Sequence, residues 1–426
     1  MLNIIRDLAP LNRVFCSSDY DTSIEYLHKA IPSTVHELRA QDEIAGWVIP
    51  PKWDVEESYV LHDGKVLIDG RKSALSTIAY SAPFAGMVSG AELKNHVYCS
   101  RNNPERTVFH FRNSYRPWAR EWGFSTTRSV FDSIRDEGMY RVCIKTREKE
   151  GYLKVLESHA GDPNSELRIV FVAHLDHPGM ANDDLAGVAT GIELMKRLAK
   201  KPLKYSYTLL CVQEMIGSQL FLNKFAKARG FTEGMFLEMP GTGTPLLLQG
   251  SFAGNSILEA LAQSHMDSEK IPYRKGEFMS IVGNDEAVFE SFGIPMSSLS
   301  RFPYPEYHTD LDTAELMDPG RLQEYVDILE STVNGIESGA AYRKKFQGVA
   351  CLSNPAYGMY IDSGQPAFGI APGAGTMAMR GIMERIPVMK GLIHAAQLHS
   401  HFPSAPIAAI SHYLNEYERH GLLEKI

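Results

Sequence analysis

Beyond residue 130 the chain alternates short apolar runs with amphipathic stretches, and this alternation restricts the fold more than any other feature. "LRIVFVAHLDH" is a continuous run rich in β-branched residues, the pattern of a strand buried on both faces. "DLAGVATGIELMKRLAKK" follows with helical spacing at Val188, Ile192, Met195 and Leu198, and its lysines sit near the end, where the helix dipole favours them. "YSYTLLCVQE", "GMFLEMPG" and "IPMSSLSRF" read as further strands, and "DPGRLQEYVDILESTVNGIESG" as a long helix capped by Asp318 with Pro319 in its first turn. Strands separated by helices imply parallel pairing with crossover helices on both faces, an open α/β sheet.

The flanking regions differ in texture. Spacing predicts a helix over residues 20–30, with Asp21 or Thr22 as cap. Residues 45–100 read as strands and turns, and Asp63-Gly64 between alternating apolar residues is a hairpin signal. The aromatic stretch "VFHFRNSYRPWAREWGF" reads as packing between two units rather than as a substrate groove. The last stretch, from "MKGLIHAAQLHSHF" onward, has the pattern of two or three short helices resembling a winged-helix or helix-turn-helix module. Its acidic and basic residues nearly balance, so docking or dimerisation suits it better than DNA binding.

With 426 residues and 44% hydrophobic content the chain can bury a large core in two or three units. A net charge of -8 argues against general affinity for nucleic acid or anionic lipid. Five scattered cysteines, Cys16, Cys99, Cys143, Cys211 and Cys351, suit a reducing cytoplasm and exclude a zinc-finger spacing. No run reaches the roughly 18 to 20 apolar residues that a membrane span needs, so a soluble, cytoplasmic protein is expected. "PGTGTP" and "APGAGT" lack the lysine and context of a phosphate loop and read as turns. There is no GxSxG elbow, which disfavours a serine nucleophile.

Sites in open α/β sheets form at the carboxyl ends of the strands. The first strand ends in His174 and Asp176, and its loop continues through Asp183 and Asp184; the second exits at Glu214 and the third at Glu238. After the fourth comes "SRFPYPEYHTDLDT", with His308 near Asp310 and Asp312. A lone histidine at a strand end is usually a satisfied hydrogen-bonder and an Asp-Asp pair usually a cap. Carboxylates gathered at one edge repel one another unless a cation sits among them, and imidazole with carboxylate suits Zn²⁺.

These blocks, "HLDHPG", "ANDDLAG", "VQEMIGS", "LEMPG", "GNDEAVFESFGIP" and "YHTDLDT", resemble in order those of the co-catalytic zinc aminopeptidases. Over nearly its full length the chain resembles a bacterial aminopeptidase-like family associated with polysaccharide biosynthesis. That resemblance implies a zinc-exopeptidase-like α/β fold, a mixed sheet with helices on both faces. The implied parts are a catalytic domain of residues 1–42 and 125–345, a β-rich insert of 43–124 and a winged-helix-like domain of 346–426.

The resemblance also implies roles. His174 and Glu238 match ligands of the first metal, Asp183 the bridging aspartate, His308 the second metal's histidine, and Asp176 the residue that orients His174. One or two zinc ions per chain are implied, and Asp285 and His177 are held in reserve. Typical members carry two adjacent glutamates at the second strand's exit, a general base and then a ligand of the second metal. Here the segment is Gln213-Glu214-Met215. Glu214 is therefore either the base or a ligand, and in the second case Glu286 or Glu306 would be the base. The implied reaction is hydrolysis of an N-terminal peptide bond by a water whose pKa zinc lowers towards roughly 7. An amide on a modified sugar is the alternative substrate, and a non-catalytic metal-binding regulator or scaffold the alternative class. The expected partner is a peptide or aminoacyl small molecule, with neither nucleic acid nor membrane, and a homo-oligomer is left open.

Overall fold

The computed structural model of the protein describes residues 1–40, 42–111, 113–362 and 374–426. Its largest sheet has eight strands: β1 (Thr34–Arg39), β2 (Tyr152–Gly161), β3 (Arg168–His174), β4 (Ser206–Val212), β5 (Glu233–Glu238), β6 (Leu246–Gln249), β7 (Tyr273–Gly276) and β8 (Met296–Ser300). Their order is β1-β2-β4-β3-β5-β8-β6-β7. β3 lies parallel between β4 and β5, and β5 pairs parallel with β8. The parallel reading thus holds for the centre, whereas β1 on β2, β2 on β4 and β6 on β8 are antiparallel. The result is a mixed α/β sheet.

Burial on both faces explains the run of β3. Ile169, Phe171 and Ala173 enter one apolar cluster and Val170 and Val172 the other, as a period of two requires. The first cluster is closed by α1 (Leu2–Leu8), α2 (Ser18–Ala30), α3 (Gly187–Leu198), α5 (Ile257–Ser268) and α7 (Pro319–Ser338). The second is closed by α4 (Ile216–Arg229) and α6 (Glu286–Ser291). Helices therefore cover both faces, and the fully buried Phe171 alone is worth about 3–5 kcal/mol against alanine. α2 starts earlier than spacing predicts. Its cap is Ser17, whose hydroxyl accepts from the Tyr20 amide at 3.0 Å, so Asp21 and Thr22 fall inside the helix.

A four-stranded antiparallel sheet, in the order Lys65–Asp69, Lys52–His62, Met139–Lys149, Phe84–Ser89, forms the β-rich part. The Asp63-Gly64 turn joins its first hairpin, both residues at positive φ. Because Met139–Lys149 supplies one of the inner strands, the pairing runs beyond residue 124. At the C-terminal end, helices Ala374–Arg385, Ala395–His401 and Ile407–Arg419 pack with strands Ala341–Lys344, Ile393–His394 and Leu423–Lys425 around an apolar cluster of their own. "PGTGTP" is a turn between β5 and β6, while residues 371–373 of "APGAGT" lie outside the described residues. Among the described residues no helix is long and apolar enough to cross a membrane.

Candidate metal centre

The carboxyl ends of β3, β4 and β5 lie side by side. His174 is paired with Val212 across β3 and β4, so the loops carrying Asp176 and Glu214 leave at one level. Glu238 closes β5 opposite Ser300 of β8. Met215 (φ 59) and Met239 (φ 50) at these exits, and His308 (φ 56) in the loop after β8, have left-handed backbone without being glycine. Such conformations cost about 1–3 kcal/mol each and persist where the surroundings enforce them.

Asp183 stands at the centre, with a cis peptide joining it to Asp184. Its two oxygens face different partners. His174 Nε2 is 3.2 Å from Oδ1, whereas His308 Nε2 is 2.9 Å and His177 Nε2 3.9 Å from Oδ2. Two groups of donor atoms therefore share this aspartate, His174-Asp183-Glu238 and His177-Asp183-His308, each within 4.8 Å. His174 Nε2, Asp183 Oδ2, Glu238 Oε2 and His308 Nε2 are buried and make no hydrogen bond of good geometry, the two imidazole nitrogens resting against Asp183 alone. Leaving such atoms unsatisfied costs about 1–3 kcal/mol apiece, and divalent cations are the groups that would satisfy all four. The donor set fits zinc.

Charge placement agrees. Burial works to raise the Asp183 pKa, but His177, His174 and His308 outweigh it and hold the carboxylate well below its usual range. Burial in turn pushes the His177 ring well below its usual range. Glu238 is pushed well up by burial and by the neighbouring Glu286 and Asp183.

Supporting contacts fix these groups. Asp312 accepts from the amides of Asn182 at 2.7 Å and Asp183 at 3.1 Å and from the Tyr304 hydroxyl at 2.8 Å. Asp184 accepts from the amides of Gly187 at 3.0 Å and Met239 at 2.9 Å, tying the bridging loop to the exit of β5. Gly187 is required there, since a Cβ would lie 2.4 Å from the Leu237 carbonyl oxygen. Beneath the loop the fully buried Arg13 donates to the carbonyls of Leu175, His177 and Met180 at 3.0, 2.6 and 2.7 Å.

Asp176 does not touch His174 directly. Its Oδ1 lies 3.8 Å from His174 Nδ1 and accepts the Glu214 amide at 2.7 Å, while His174 Nδ1 meets His177 Nδ1 at 2.9 Å. Burial raises the Asp176 pKa to about 8. Glu214 keeps 20% of its side chain exposed, and its Oε2 accepts the Tyr115 hydroxyl at 3.0 Å. Asp285 is buried and accepts the Met215 amide at 3.1 Å; Glu286 is buried beside Glu238.

The aromatic stretch reaches the centre, contrary to its reading as packing alone. Phe109 lies 4.9 Å from the His177 ring and 5.4 Å from His308, with Phe111 at 6.4 Å from His308. A backbone bond from the Phe109 amide to the His308 carbonyl holds the segment down. Trp122, by contrast, packs in the apolar cluster of the four-stranded sheet, with Val60, Tyr140 and Ile144. The roles of Arg13, Asp312 and Tyr115 escaped sequence reasoning; for Asp312 the signal was its place four residues after His308.

A Clostridium acetobutylicum protein, provisionally named a polysaccharide biosynthesis protein with aminopeptidase-like domain, is 28% identical over 349 residues, 80% of this chain and 78% of its own length. The crystal structure of a provisionally named peptidase from Clostridium acetobutylicum superposes with a TM-score of 0.74 at 23% identity, covering 100% of this chain and 96% of that one. A zinc aminopeptidase from Bacillus subtilis gives a TM-score of 0.58 at 14% identity over 78% of this chain and 93% of its own. The fold is that of the zinc aminopeptidases. Residues 2–339 match the family described as a domain of unknown function, DUF4910, and the chain belongs to that family.

Proposed function

We propose that this protein is a zinc-dependent hydrolase of the cytoplasm that cleaves the amide next to a free amino group, an aminopeptidase. The observation that carries the proposal is the sharing of Asp183 between two sets of donors, among which His174 Nε2, Asp183 Oδ2, Glu238 Oε2 and His308 Nε2 are buried atoms without a hydrogen-bond partner of good geometry. The names of the relatives, an aminopeptidase-like protein and a zinc aminopeptidase, support it. His174, Asp183 and Glu238 would hold one ion, and Asp183 with His308 would hold a second. Zinc in such a site acidifies a water and polarises a carbonyl.

The chain's own residues do the rest. Glu214, the partly exposed carboxylate, takes the proton of the attacking water and returns it to the leaving nitrogen. Asp176, through the Glu214 amide, and Tyr115, through its carboxylate, hold that base in place. Phe109 and Phe111 wall the centre beside His308 and favour a small substrate with an apolar face. An amide on a modified sugar is the second reading, favoured by the half-exposed Phe111 ring and by the polysaccharide name of the relative.

The test is a panel of aminoacyl and N-acylated sugar substrates offered to the zinc-loaded protein and to Glu214→Gln. Cleavage by the wild type and its loss in a folded, zinc-loaded variant is the expected result. No cleavage of any substrate would sink the reading and leave a metal-binding regulator or scaffold.

A further inference from the structure

We propose that His177 is a ligand of the second metal ion, in the place of the carboxylate that the exit of β4 lacks, which leaves Glu214 free to act as base. The inference rests on the metallohydrolase reading above. Next to Glu214 the chain has Met215, which offers no hard donor; its amide is spent on Asp285 and its side chain packs into the second apolar cluster. Asp183, His308 and Glu214 by themselves would force one carboxylate to be both ligand and base.

His177 resolves the shortage by position. Its ring is 2% exposed, and its Nε2 points at two carboxylate oxygens, Asp183 Oδ2 at 3.9 Å and Glu214 Oε2 at 3.8 Å. Both distances are too long for a hydrogen bond. Two ligands on one tetrahedral zinc, each at about 2.0–2.1 Å, lie roughly 3.3 Å apart, and the separations among His177, Asp183 and His308 bracket that value. A buried imidazole whose free nitrogen faces two carboxylates without bonding either has the arrangement of a ligand. Its backbone is held accordingly, with the His177 carbonyl bound by Arg13 and the Gly179 amide by the Leu11 carbonyl. His177 Nδ1 meets His174 Nδ1 at 2.9 Å, and with the hydrogen of that contact on the His177 nitrogen the Nε2 lone pair of His177 is left for a metal.

The experiment is zinc stoichiometry and affinity, by elemental mass spectrometry and isothermal titration, on the wild type, His177→Gln and His308→Gln. Metal-stripped proteins are first compared by circular dichroism to establish equal folding. The expected result is two ions on the wild type and one on each variant, the retained ion keeping its affinity. Two ions on His177→Gln with wild-type affinities would overturn the proposal, as would a wild type that binds only one ion. A wild type binding none would instead remove the metallohydrolase reading itself. Should His177→Gln not fold, ¹⁵N imidazole spectra of the wild type titrated with zinc decide: the ring nitrogens of His174, His177 and His308 all shift if the proposal holds, and those of His177 stay put if it fails.

Discussion

His308 Nε2 and Asp183 Oδ2 lie 2.9 Å apart although 125 residues separate them in the chain, the shortest of the three histidine contacts around that carboxylate. Asp183 is thus the one group that both donor sets need. Asp183→Asn keeps the shape and removes the charge, and it is expected to abolish tight zinc binding at both positions. The loss should exceed the roughly 100-fold that a supporting residue costs. Elemental analysis after dialysis checks this, and retention of two ions would contradict a bridging role.

Asp312 acts one step further out, through the amides of Asn182 and Asp183 and the Tyr304 hydroxyl. Asp312→Asn replaces one acceptor oxygen by a donor that faces those donors. Zinc affinity is expected to fall about 10–100-fold with the fold retained, as read by competition with a chromophoric chelator.

Arg13 matters for stability. Replacing it with Met leaves the carbonyls of Leu175, His177 and Met180 buried without donors, and the cost should be about 3 kcal/mol or more. Arg13→Lys should recover only part of this, because one ammonium cannot reproduce the planar fork. Urea midpoints of the three proteins, compared in chelator, measure the difference free of metal linkage.

His394 supplies a pH dependence. The ring is buried and its Nδ1 accepts the Ala396 amide at 3.2 Å, capping the helix Ala395–His401 in the neutral form only. Burial lowers its pKa from 6.5 to about 4. Above pH 6.5 neither folded nor unfolded chain is protonated there and nothing changes. As pH falls from 6.5 to about 4 the unfolded chain takes up the proton and the folded one does not, so stability drops by up to about 3 kcal/mol. His394→Asn keeps a capping side chain and cannot titrate. Its unfolding free energy should fall less steeply than the wild type's over that window; parallel curves would refute the assignment.

Phe111, 49% exposed beside His308, is placed to touch substrate rather than to support the fold. Phe111→Ala is expected to leave the melting temperature within about 2 °C, since exposed positions contribute within ±0.5 kcal/mol. KM for the best substrate should rise several-fold with kcat little changed, measured by initial rates. A lower kcat at constant KM would place the ring against the reacting groups instead.

The parallel centre of the sheet was legible because β3, β4 and β5 are buried on both faces and carry mostly apolar side chains, so the end of each showed in the sequence as a return of charged or imidazole residues. Those residues, His174, Glu214 and Glu238, are the ones gathered at one edge; the loops that follow β3 and β8 offered Asp183 and His308, and a resemblance in the order of blocks supplied their roles. The antiparallel edges were not legible, because a strand's direction is set by the connection that returns it to the sheet, and the strands of the four-stranded sheet lie between β1 and β2 in the chain.

What the sequence by itself determined was the α/β class and the edge where chemistry gathers, since both follow from local rules: burial writes apolar runs, and strands end where polarity resumes. Tertiary structure alone decided which nitrogen faces which oxygen. Asp176 sits two residues from His174, yet it bonds the Glu214 amide, and His177 takes the nearer position. Arg13 binds carbonyls more than 160 residues away, and Phe109 is carried onto His308 from another part of the chain. Spacing along a chain fixes neither the direction of a loop nor the rotation of a ring, because both are set by contacts between segments that meet only when the sheet has formed.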